Sequence, residues 1–102
     1  MGFLDGVLGG VGKMIAEQMV PVFKSSMRYS SSDLKKMIDS EERLAWRATY
    51  LLVLAHKDKY DAVDIYKARP KPFDNAFLQL QNHRFFAREI ELFRNTIASA
   101  SY

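Results

Sequence analysis

The sequence predicts an all-α protein, a small bundle of about four or five helices. Three observations lead there. Apolar residues recur at helical spacing along most of the chain, first as Phe3, Leu4, Val7, Leu8, Val11, Met14, Ile15 and Met19 and later as Phe86, Ile90, Phe93 and Ile97. All five glycines lie in the first twelve residues, so the ninety residues from Lys13 to Tyr102 carry none of the usual turn formers of that type. The single strand-like run, Leu51-Leu52-Val53-Leu54, is flanked by Ala, Arg and Glu residues that favour helix. With 102 residues, 48% of them hydrophobic and 13% aromatic, the chain has material for one domain with a core, which excludes general disorder.

Residues 1–24 read as an amphipathic, glycine-rich segment. At about 100° per residue the eight apolar side chains named first fall on one side of a helix, and Gly2, Gly6, Gly9, Gly10 and Gly12 fall on the other. The helix is expected over 3–20 and is expected to stop near Pro21. Residues 25–32 hold five serines and read as a linker, with Ser31 or Ser32 capping a short helix that begins at Asp33. Residues 33–102 are then the helical domain.

Glu41 and Glu42 place acids where a second helix would start, and this helix is expected to run from about Glu41 to His56. It is apolar all round from Tyr50 to Ala55, the signature of a helix surrounded by others. After a polar break at Lys57-Asp58-Lys59 comes a short helix using Tyr60, Val63, Ile65 and Tyr66. Arg69-Pro70-Lys71-Pro72 reads as a stiff loop, because proline biases the preceding residue toward extended geometry. The last helix is expected from about Asp74 to Ala98, about 40 Å if unbroken. Lys59-Tyr60-x-Ala62-x-Asp64-Ile65 returns as Arg84-Phe85-x-Ala87-x-Glu89-Ile90, which is read as two amphipathic helices using similar residues.

The chemistry excludes more than it supports. The absence of cysteine removes disulfides, thiolate metal sites and cysteine nucleophiles. Neither His56 nor His83 has a carboxylate or second histidine four residues away, and Asp58, Asp61 and Asp64 lack a glycine-bearing calcium loop. Gly6 to Lys13 is glycine-rich and ends in lysine, but Met14 stands where a phosphate loop needs Ser or Thr. His56 is assigned to the end of the central helix, facing the negative end of its dipole, and His83 to the surface. The expectation is a protein that is not an enzyme and takes no metal, cofactor or small-molecule substrate.

Net charge is +3, too little for a nucleic-acid footprint by itself. Arg69, Lys71, Arg84 and Arg88 are the residues available to a polyanion, opposed by Glu91 on the same helix face and by seven acids between Asp33 and Asp64. The N-terminal segment carries the stronger signal. Its four interior glycines oppose an isolated helix by roughly 3–4 kcal/mol, so burial of its stripe, against the protein's own core, a partner protein or a bilayer interface, must supply the order. Phe3, Leu4, Val7, Leu8, Val11 and Ile15 are therefore the expected partner-binding residues, with the exposed face of the last helix as a second surface. The expected partner is another protein or a second copy. A basic nucleic-acid-associated regulator is the alternative, and a membrane-surface protein anchored by residues 3–20 is the third reading. The Met1-to-Asp5 start lacks a basic signal region, and Asp5, Lys13 and Glu17 interrupt the apolar stretch, so the expected location is cytoplasmic or peripheral to a membrane.

Overall fold

The computed structural model describes the backbone of residues 2–100 and the side chains of residues 14–100. Among the described residues it has six helices: α1 (Gly2–Ser26), α2 (Ser31–Ser40), α3 (Leu44–Lys57), α4 (Lys59–Ala68), α5 (Pro70–Leu80) and α6 (Arg84–Ala100). All-α class is as expected, and the helix count exceeds the four or five expected. The additional helix comes from the split between α5 and α6, and the helices also differ from expectation in their bounds.

Helix α1 does not stop at Pro21 but continues to Ser26. Proline removes one amide donor, which leaves the Glu17 carbonyl without its intrahelical partner. Glu17 and Pro21 are both exposed, so water can take that carbonyl and the helix survives. Pro21→Ala is therefore expected to stabilise the protein by about 2–3 kcal/mol, the interior proline penalty less the entropy that proline removes from the unfolded chain. A calorimetric melting temperature that stays the same or falls would contradict this. Ser25 and Ser26, expected in a linker, lie in the last turn, where the Ser26 hydroxyl donates to the Val22 carbonyl at 2.6 Å.

Ser30, rather than Ser31 or Ser32, caps α2, its Oγ accepting the Asp33 N–H at 3.1 Å. Helix α3 starts three residues later than expected. The Glu41 carboxylate accepts the backbone N–H of Glu42 and both Nε and Nη2 of Arg43, which fixes an extended corner before Leu44. The Arg69–Pro72 stretch is not a loop. Arg69 lies outside the α region, which the residue before a proline disfavours, and Pro70 opens α5 at its first position, where no amide donor is needed.

The long last helix is broken at Gln81-Asn82-His83. Asn82 Nδ2 donates to the Gln79 carbonyl at 3.2 Å, and His83 Nδ1 accepts the Phe85 N–H at 3.1 Å, capping α6. His83 is thus a half-buried cap at the start of α6. The break lets Phe73, Phe77 and Leu80 of α5 share one core with Phe86, Ile90 and Phe93 of α6. The described turns use no positive φ, in keeping with a chain that has no glycine after position 12.

Helix α3 is the axis of the molecule, packing against α1, α2, α4, α5 and α6. Ala48 to Leu54 are buried without interruption, and the Thr49 hydroxyl is satisfied by donating to the Ala45 carbonyl at 2.7 Å. Ala16, Met19 and Phe23 of α1 are buried in the same cluster. Phe23 stands edge-on to His56, Phe85 and Phe86 at centroid distances of 5.8, 5.0 and 6.1 Å, geometry that adds to simple burial. The second half of α1 is therefore core. The two similar stretches in α4 and α6 are not equivalent in space, since Ala62 is buried and Ala87 exposed.

Candidate binding groove along helix α6

Helix α6 has one buried stripe, Phe86, Ile90 and Phe93, which faces the core. Beside it on α6 stand Phe85 and Leu92, seven residues apart, a spacing that the sequence begins at Leu78 of α5, and here the packing is incomplete. Leu78 is 59% and Leu92 47% exposed. Next to Leu92, on α4, Tyr60 is 63% exposed. Between α4 and α6 lies a groove of about 300 Å³ whose walls include Tyr60, Val63, Leu92 and Ala100. Lys59, at the first position of α4, is the charged side chain lining it.

A second hollow of about 230 Å³ lies on the other side of Leu92, between α3 and α6. Leu52, Phe93 and the His56–Glu89 pair line it, and Leu92 and Thr96 border both hollows. The two therefore form one surface divided by a ridge. Thr96 directs its hydroxyl to the Leu92 carbonyl at 3.0 Å, so it turns its methyl group and not a free hydroxyl to the groove's polar demand.

His56 is in the last turn of α3, where the sequence places it, and its ring does more than face the helix end. Its Nε2 meets Glu89 Oε2 of α6 at 2.6 Å while Phe23 of α1 packs against the ring. One imidazole thus ties three helices at the edge of the hollow. Sequence spacing could not have found this pair, because its members are 33 residues apart.

The position of α4 is fixed from its other side. Lys35 of α2 donates to Asp61, and that bond holds the Asp61 carboxyl below the usual carboxylate range and raises the Lys35 ammonium. Both side chains remain substantially exposed, so the pair orients α4 more than it stabilises the fold. Tyr66 anchors α4 to α5 by donating to Asp74 at 2.8 Å. Burial, followed by that hydrogen bond, pushes its phenol up.

Of the expected partner-binding residues, Phe3, Leu4, Val7, Leu8 and Val11 have side chains outside the described residues. Ile15 is half-buried against the core. Arg69, Lys71, Arg84 and Arg88 are all exposed. Arg69 and Lys71 stand at the start of α5, and Arg84 and Arg88 on the first turns of α6. Among the described residues no group of three or more His, Cys, Asp or Glu could hold a metal ion, and no helix is long and apolar enough to cross a membrane.

Comparisons with protein-family models, with curated proteins and with solved structures return no match.

Proposed function

We propose that this chain is a non-enzymatic helical protein that works by binding another protein, docking through its N-terminal amphipathic segment and the incompletely packed face of α6. The observation that carries this reading is the continuity of α1. The helix runs from Gly2 to Ser26, and its second half is held in the core by Ala16, Met19 and Phe23. A stripe that begins with Phe3, Leu4, Val7, Leu8 and Val11 continues in helical register into this fixed half. Anchoring lowers the cost of ordering the first half, because a helix already nucleated extends more readily than one that must start alone. What the glycines still oppose, burial against a partner would supply at about 1.5–3 kcal/mol per large side chain. The recognition mode is an amphipathic helix laid in a groove, with anchors at i, i+4 and i+7 such as Leu4, Leu8 and Val11.

Leu8→Asp combined with Val11→Asp is the test. A carboxylate buried in an apolar contact carries a desolvation cost of several kcal/mol, whereas one facing water carries almost none. Tagged wild-type and doubly substituted proteins are used to capture partners from source cells. The same proteins are melted by circular dichroism to confirm that both fold. A partner lost from the double variant supports the reading. Capture unchanged in the folded double variant removes the segment from the contact. Nucleic acid retained by both, and lost when Arg69, Lys71, Arg84 and Arg88 are replaced, would move the function to the basic-regulator class.

A further inference from the structure

We infer that the groove between α4 and α6 is the seat for residues Phe3–Val11 of a second copy of this chain. This rests on the docking role proposed for that segment and names its acceptor.

The groove offers apolar surface to an amphipathic helix. Tyr60 and Leu92 stand in its walls, two large apolar side chains left 63% and 47% exposed. The last turns of α6 contribute Thr96, Ser99 and Ala100, small residues over which another helix can approach closely.

Charge selects the occupant. Lys59 is the charged side chain in the groove lining, and Asp5 is the charged residue among the first twelve. On a helical projection Asp5 lies about 60° from Leu8, at the edge of the apolar stripe. With the stripe seated, Asp5 therefore falls at the rim, where Lys59 stands.

The segment comes from another molecule because of where α1 is fixed. Its packing partners are α3, α5 and α6, and Phe23 pins it against His56, Phe85 and Phe86. Among the described residues, its own α4 is not among its principal packing partners. Reciprocal exchange of the two segments produces a closed two-fold dimer with the same contact made twice.

Sedimentation velocity and light scattering of the full chain over a wide concentration range test this. Wild-type protein is expected to dimerise. Leu92→Glu alters a side chain already half in water, so the fold survives, which thermal melting confirms, while dimer affinity falls at least about tenfold. Asp5→Lys is expected to weaken the dimer roughly two- to fivefold, and adding Lys59→Glu to restore it. A folded Leu92→Glu protein that dimerises as wild type, or a charge exchange that restores nothing, overturns the groove as the seat and leaves the segment's docking role standing. A wild-type chain that stays monomeric throughout overturns self-docking, and the capture experiment above then decides separately whether the segment binds a foreign protein.

Discussion

A fragment beginning at Met27 is expected to lose the cooperative thermal transition of the full chain. The deletion removes Ala16, Met19 and Phe23, which are 0%, 2% and 5% exposed and sit among side chains of the other helices. Losing the burial of Met19 and Phe23 alone forfeits about 3–6 kcal/mol, and small domains are stable by only about 5–15 kcal/mol. The loss also leaves Phe85, Phe86 and the ring of His56 without their edge-on partner. Circular dichroism should show helix retained in α2 to α6 with a broad, low-amplitude melt. A fragment beginning at Met14 keeps all three core residues and should melt sharply. A full, cooperative transition in the shorter fragment would show instead that residues 33–102 are self-sufficient and that α1 is an attachment to them.

How much of this was legible in the sequence depended on the range of the interaction that decided each feature. The buried run of α3 could be read directly, because seven consecutive buried residues from Ala48 to Leu54 are written as seven residues whose only side-chain polar groups are the hydroxyls of Thr49 and Tyr50. The phenylalanine stripe of α6 could be read for the same reason. Pro21 misled because proline's local preference is to end a helix, whereas the packing of Phe23, two residues later, outweighs it. Pro70 and Pro72 misled in the opposite sense. They suit a helix start as well as a loop, and only the position of Phe73, 2% exposed against Tyr66 and Arg47, selects the helix. The break between α5 and α6 had a signal, Asn82-His83, but neither residue is a strong breaker. Its effect comes from side-chain bonds to Gln79 and Phe85 that no periodicity records.

The groove shows the same limit more sharply. Leu92 was visible as a member of a heptad beside the main stripe, a pattern that normally means burial. Its exposure is decided by how α4 sits beside α6, and the contacts that hold α4, Lys35–Asp61 to α2 and Tyr66–Asp74 to α5, join residues far apart or on separate helices. The contacts of the first twelve side chains are equally a matter of what lies opposite them. Composition can say that the stripe requires a surface, and a second chain or a partner decides which.

Leu52→Ala is expected to cost about 2–5 kcal/mol, while Arg84→Ala changes stability by no more than about 0.5 kcal/mol. Leu52 is 1% exposed in the middle of α3, the helix on which all the others pack. Removing its isopropyl group opens a cavity that cannot close by a local shift, because α3 is held by five neighbours at once. Leu52 also lines the hollow between α3 and α6, so the void would join a surface depression and admit water at one edge. That places the cost toward the lower half of the range, since a wetted edge relieves part of the cavity penalty. Arg84 is exposed in the first turn of α6, where a cation faces the positive end of the helix dipole, so its removal sacrifices no favourable helix term. Urea denaturation with a common slope is the measurement. Midpoints for Leu52→Ala should drop while those for Arg84→Ala stay with wild type. Equal shifts for the two substitutions would mean that α3 is not the axis of the fold, because a side chain surrounded on every side cannot be removed as harmlessly as one that touches water.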